Sequence, residues 1–169
     1  MRRNVLFDSS SAIILFKSGL FERTASFYRI VMATSVFREL SVPKMTGAEE
    51  FKRYHREGQI MIRNAVPYPY LESDLGNLDV GELHTILLFQ EGAGEFIMLD
   101  DGKGAACCRR RRIPHTNALL VPRILRRAGI ITAVQCDESM ETVMKHGRYS
   151  RRVIDYARTC EDDDLARFG

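Results

Sequence analysis

Asn4-Val5-Leu6-Phe7-Asp8-Ser9-Ser10-Ser11 is the stretch on which the fold turns. A short apolar run stopped by an aspartate and three serines reads as a buried strand that ends in a polar turn. The pattern returns at Glu95-Phe96-Ile97-Met98-Leu99-Asp100-Asp101, and Phe27 to Ala33 is a further buried strand. Helical patterns separate these runs. They cover Ala12 to Leu20, a segment capped by Thr34-Ser35 and closed by Pro43, the charged stretch Gly47 to Gly58, and the apolar helix Val80 to Phe89 opened by Asp79. Gln59 to Val66 adds a strand, 103–112 a helix, Ile113 to Thr116 an extended piece, and Asn117 to Ala128 a helix that Pro122 bends or delays. Two helices, 137–146 and 150–160, close the chain ahead of a frayed acidic tail. Short apolar strands alternating with helices predict an α/β fold, a parallel sheet covered on both faces.

The chain has 169 residues, 25 Lys+Arg against 22 Asp+Glu, and 45% hydrophobic residues. That length suits one domain over 1–169, with a core at 3–131, closing helices at 137–160 and a tail at 161–169. The longest apolar runs fall far short of the ~20 residues that cross a bilayer. Asp8 interrupts the place where a signal peptide would be uncharged. Cys107, Cys108, Cys136 and Cys160 show no zinc spacing and read as reduced thiols, so a cytoplasmic protein that does not touch the membrane is expected.

Ligands of parallel sheets gather outside the carboxyl ends of the strands. Asp8 and the pair Asp100-Asp101 stand there, and Glu39 and Glu82 lie in the first turns of helices. Each has a plainer reading: Asp8 as a turn or cap residue, Glu82 as one half of an Asp79-x-x-Glu82 capping box, Asp100-Asp101 as a helix start. Together they form a set of oxygen ligands without nearby histidine or thiolate, which favours a hard cation, Mg²⁺ or Mn²⁺. Such an ion activates water and neutralises charge developing on a phosphodiester. His84, two residues from Glu82, points to another side of its helix, and His115 is the histidine nearest the expected pocket.

Val5-Leu-Phe-Asp8-Ser-Ser, Thr34-Ser-Val-Phe-Arg-Glu39-Leu, Leu78-Asp-Val-Gly-Glu82-Leu-His-Thr-Ile86, Ile97-Met-Leu-Asp100-Asp101-x-x-Gly104 and Ile113-Pro-His-Thr116-Asn117 resemble the PIN-domain family, in particular its small prokaryotic stand-alone ribonucleases. The resemblance implies a three-layer α/β/α fold and a metal-dependent endoribonuclease. It implies that Asp8, Glu39, Glu82 and Asp100 hold Mg²⁺ or Mn²⁺, that Asp101 adds a ligand directly or through water, and that Thr116 and Asn117 close the pocket. It further implies the toxin of a toxin–antitoxin pair, with a protein antitoxin as partner, and a homodimer. Relatives often carry a basic residue near the position of Ala105, for which Lys103 and the later arginines would substitute.

Gly102 to Cys136 holds eight Lys/Arg residues and no acid, which points to RNA binding, with Lys103 and Arg109 as candidates. Tyr68 and Tyr70 offer rings for base stacking or for packing on their own domain. The competing reading is a PIN-like RNA-binding module with little catalysis. A phosphate-transfer or dinucleotide domain fits worse, since no Gly-x-Gly-x-x-Gly or Walker-type loop follows the first strand.

Overall fold

Five strands form one all-parallel sheet in the computed structural model, which describes residues 2–66 and 78–169. They are β1 (Asn4–Phe7), β2 (Arg29–Ala33), β3 (Ile60–Arg63), β4 (Phe96–Met98) and β5 (His115–Thr116), in the order β3-β2-β1-β4-β5. Val5, Leu6 and Phe7 are solvent-free because β1 is the central strand, paired on both edges and covered on both faces. The strand order reverses between β1 and β4, the switch point at which such sheets bind ligands.

The first helices are α1 (Ser9–Lys17), α2 (Phe21–Phe27), α3 (Thr34–Leu40), α4 (Ala48–Arg56) and α5 (Val80–Gln90). They are followed by α6 (Gly102–Arg111), a 3₁₀ turn (Ala118–Leu120), α7 (Val121–Arg127), α8 (Ala133–His146), α9 (Arg151–Thr159) and α10 (Asp162–Ala166). α5, apolar almost all round, lies over β1, β2 and β4, and the sheet is flanked by helices in the α/β/α manner. Pro122 sits in the first turn of α7, where its missing N–H costs nothing, so it delays the helix and does not bend it.

Three local expectations change. No polar turn follows β1: Asp8 is itself the N-cap of α1, its carboxylate accepting from Ser10 N, so the serines form the first helical turn. Phe27 closes α2 and β2 starts only at Arg29, because Tyr28 turns into the core and donates its hydroxyl to the Phe168 carbonyl. Thr34 and Ser35 do not cap α3, whose cap residue is Ala33. The Thr34 hydroxyl donates to Asn64 Oδ1 (2.5 Å), and the Ser35 hydroxyl pairs with His84 Nδ1 (2.9 Å).

The acidic tail is folded. Glu161 and Asp164 form a capping box on α10, Leu165 is fully buried, and Phe168 is 2% exposed with its ring edge-on to Phe96 at 5.0 Å. Arg123 holds the C-terminal helices by donating to the carbonyls of Ala157 (2.9 Å) and Cys160 (2.7 Å), and stands 3.8 Å from Asp162. One cation of the basic segment is thus a structural clamp. Phe168→Ala is expected to cost ~3–5 kcal/mol, the range for emptying a buried aromatic site, read from urea denaturation. A loss below ~1 kcal/mol would return the tail to a frayed end.

Candidate active site

Asp8 and Asp100 leave neighbouring strands side by side, with Phe7 registered against Met98 and Asp8 N bonded to the Met98 carbonyl (3.0 Å). Asp8 is 4% exposed, and its Oδ2 accepts from the Ser10 hydroxyl at 2.6 Å. Burial pushes its pKa up, against the pull of the Ser10 and Ser9 hydrogen bonds, and the charge of Asp79 adds to the rise.

The first turn of α5 brings two more carboxylates. Asp79 and Glu82 make a reciprocal capping box: Glu82 N donates to Asp79 Oδ1 (2.8 Å) and Asp79 N to Glu82 Oε2 (3.2 Å). Glu82 can therefore be a cap and a ligand at once, because only one of its oxygens is engaged by the cap. The other, Oε1, is buried with no hydrogen-bond donor directed at it among the described residues. Glu82 is 4% exposed, and burial together with the adjoining Asp101 carboxyl pushes its pKa up to about 8. Asp101 is held below its ordinary value, first by the adjoining Glu82 carboxyl and then by the backbone N–H groups of Lys103 and Gly104, which it caps at the start of α6.

Two glycines make room for this gathering. A Cβ on Gly104 would stand 2.9 Å from Glu82 Oε1 and 2.8 Å from Leu99 Cδ1. One on Gly81 would meet Asp79 Oδ1 at 3.3 Å and Asp8 Oδ1 at 3.8 Å. Asp8 and Glu82 line one small cavity with Gly104, and Asp79 faces an open cleft of about 680 Å³ whose walls include Ser35, Arg38, Glu39 and His84.

A family model described as a PIN domain matches residues 4–158. The chain belongs to the PIN-domain family. No curated protein matches it. PIN domains are generally nucleases and typically use divalent metals, so this chain has a nuclease-type fold.

In this PIN domain the predicted carboxylates do not all converge. Among the described residues, no three His, Cys, Asp or Glu side chains stand close enough to hold an ion together. Glu39 is exposed on the cleft wall, without a hydrogen bond to another acid. Asp100 is occupied: its Oδ2 accepts from the Ser11 hydroxyl (2.5 Å) and Ala118 N (3.0 Å), and its Oδ1 from the Tyr149 hydroxyl (2.5 Å). Burial raises its pKa while these three donors oppose the rise.

Thr116 is 4% exposed and its hydroxyl has no partner among the described residues, while Asn117 uses its Oδ1 to accept from Leu120 N (3.3 Å). Lys103 is exposed in the turn that Asp101 caps, at the rim of the site. Arg109 lies six residues farther along α6, about 9 Å at 1.5 Å per residue, toward the helix end away from the strand ends that carry the carboxylates. His115 opens β5. It bonds the Ile113 carbonyl (2.9 Å), and its pKa is lowered by burial and by Arg109 and Arg167. Tyr68 and Tyr70 lie outside the described residues.

Asp8, Asp79, Glu82 and Asp101 adjoin only in pairs, Asp79 with Asp8 and with Glu82, and Glu82 with Asp101; all offer oxygen, and one buried oxygen, Glu82 Oε1, faces no donor among the described residues. That chemistry fits a hard divalent cation. Asp79 is disguised in sequence by its capping role. Tyr149 carries no sequence signal, because it reaches Asp100 from the loop between α8 and α9. Its ring folds back over Gly147, where a Cβ would collide with Tyr149 Cε2. Tyr149→Phe is expected to lose ~1.5–3 kcal/mol, the worth of a hydrogen bond to a charged acceptor, by urea denaturation. An unchanged midpoint would show that Asp100 does not depend on the phenol.

Proposed function

We propose that this PIN domain is a metal-dependent endoribonuclease that hydrolyses RNA phosphodiester bonds. The observation that carries the reading is the buried, unpartnered Glu82 Oε1 beside Asp8, Asp79 and Asp101, at the strand ends where the sheet order reverses. Asp8, Glu82 and Asp101 would hold Mg²⁺ or Mn²⁺, with Asp79 close by and Glu39 reaching in from the cleft wall. When bound, the ion supplies neutralisation of phosphoryl charge and an activated water. The protein's own part is to keep Asp8 and Glu82 buried beside the exposed Asp79 and Asp101, so that the repulsion among them is relieved on loading. Arg38, on the wall of the same cleft, offers a guanidinium to a phosphate, and Lys103 a second cation at the rim.

Asp100 serves this arrangement as a positioning residue. Its three donors fix it between α1, the 3₁₀ turn and the Tyr149 loop, so that the loop behind the site is held to the strand end.

The test is cleavage of a mixed single-stranded RNA with Mg²⁺, Mn²⁺ or EDTA. Metal-dependent cleavage supports the reading. A second reading, an RNA-binding module with little catalysis, draws on the occupied Asp100 carboxylate and the exposed Glu39, and binding without cleavage under every metal condition would establish it. The toxin role and its antitoxin partner are proposed from the family resemblance, and co-purification with the product of a short adjacent reading frame tests them. The homodimer is tested by light scattering.

A further inference from the structure

In an all-parallel sheet the returning helices run antiparallel to the strands, so their C-terminal ends emerge at the edge opposite the carboxylates. That edge is dominated by arginine. Arg109, Arg110 and Arg112 end α6, Arg126 and Arg127 end α7, Arg29 opens β2, and Arg23 lies on the helix that leads into it. All seven are exposed, and none has a carboxylate within ion-pair reach among the described residues.

The arginines are connected across this edge. Arg109 and Arg167 both act on His115, and Arg3 donates to the Arg167 carbonyl (2.5 Å). Arg2, Arg3 and Arg23 line a cleft of about 700 Å³ that Gly169 also reaches, and Arg127 Nη1 lies 2.9 Å from where a Cβ on Gly169 would stand. Of the nearby acids, Glu95 pairs with Arg3 (2.7 Å), Glu22 with Arg53 (3.1 Å) and Asp162 stands 3.8 Å from Arg123, while the rest of the acidic run on α10, packed on α7, makes no ion pair with the seven arginines among the described residues. Negative helix ends account for some of this placement, but a macrodipole offers only about half a charge per helix. The seven exposed arginines stay without an ion-pair partner among the described residues.

We infer that this arginine edge is a second docking surface for the sugar-phosphate backbone of RNA, remote from the carboxylates. The inference rests on the ribonuclease reading for its ligand. Arginine supplies twenty of the 25 cations, and its planar fork binds phosphate through two parallel hydrogen bonds. An RNA whose scissile phosphate lies at Asp8 already presents one negative charge per nucleotide to whatever surface it reaches. Arg3 and Asp8 are separated by the length of β1, about 17 Å at ~3.3 Å per residue. A short oligonucleotide that fills the carboxylate cleft therefore leaves the arginine edge empty, whereas a long strand or a folded RNA spans both.

The experiment compares a 30-nucleotide single-stranded RNA with a hexanucleotide. Binding is measured by fluorescence anisotropy against salt in an Asp8→Asn background, and cleavage with Mn²⁺ in the otherwise wild-type chain. The edge variant combines Arg23→Glu, Arg109→Glu and Arg126→Glu, and a matching triple Arg→Gln variant guards against misfolding by charge reversal. The expected result is at least a ~10-fold loss of affinity for the 30-mer. The slope of log affinity against log salt should also become shallower by about two, at ~0.7 for each phosphate no longer neutralised. Hexanucleotide cleavage should be unchanged. Unaltered affinity and slope for the 30-mer, or an equal loss for the hexanucleotide, would overturn the docking surface. So would tighter binding of a 30-residue polyglutamate than of the RNA, which would assign the edge to an acidic polypeptide.

The nuclease and the docking surface can fail separately. Cleavage of both RNAs by a wild type that the edge variant matches leaves the nuclease standing without the docking surface. Arginine-dependent binding without any cleavage does the reverse.

Discussion

Asp8→Asn is expected to lower RNA cleavage more than about 100-fold while leaving the melting temperature level or higher. Loss of a mere outer-shell partner of a metal ligand typically costs 10–100-fold, and a ligand costs more. The stability half of the result follows from burial. Asp8 is 4% exposed beside the charge of Asp79, and its pKa is raised, so the folded state disfavours the ionised form present at neutral pH. Asparagine removes that charge yet keeps an oxygen to accept from Ser10 N and the Ser10 hydroxyl, so the cap of α1 survives. Circular dichroism melting and a fluorescent RNA assay on the same preparations read both halves. A fall of many degrees in the variant would make Asp8 a structural cap first, and full activity would remove it from the site.

The second large effect is a pH dependence centred on Glu82. Its folded pKa of about 8 lies above the ordinary 4.5, so between those values the folded protein retains a proton that the unfolded chain has released. The metal-free protein should therefore lose stability as pH rises from about 4.5 through 8 and change no further from this group above that. Asp8 and Asp100, also raised, act in the same direction from 3.8 upward. Asp101, lowered, opposes them: its contribution is present above 3.8 and lost as pH falls. In EDTA the melting temperature should fall by several degrees between pH 5 and 9, and Glu82→Gln should flatten that slope. Added Mn²⁺ competes with the proton on Glu82, so its stabilising effect should grow with pH. An unaltered slope in Glu82→Gln would show that the Glu82 carboxyl does not hold the proton.

Residue pattern alone locates most of the elements, because β1, β2 and β4 are continuous apolar runs and apolar runs of four or five residues between polar helices have few other uses. It places Asp8 and Asp100 at strand ends for the same reason. It misplaces the start of α1, where a serine run conceals a helix once Asp8 caps it, and the start of β2, where Tyr28 is drawn inward by Phe168 from the far end of the chain. Glu82 is legible both as a cap and as a ligand, and the two oxygens of one carboxyl divide those roles.

The identity of the neighbours is not legible. Asp79 stands against Asp8 only because α5 crosses β1, and Glu39 stays exposed because α3 turns its end toward the cleft. Local charge makes Arg109 a candidate for the substrate, yet α6 carries it to the opposite edge, next to arginines that are distant in sequence. Tyr149 reaches Asp100 across 49 positions. The order of apolar and polar residues thus determined the parallel sheet and the strand ends where acids collect, since those depend on local pattern and burial, and the resemblance of the motifs gave the family. Which carboxylates meet, which is already occupied, and where the unpaired arginines accumulate were decided by tertiary structure. Those depend on distances between elements that no spacing along the chain contains.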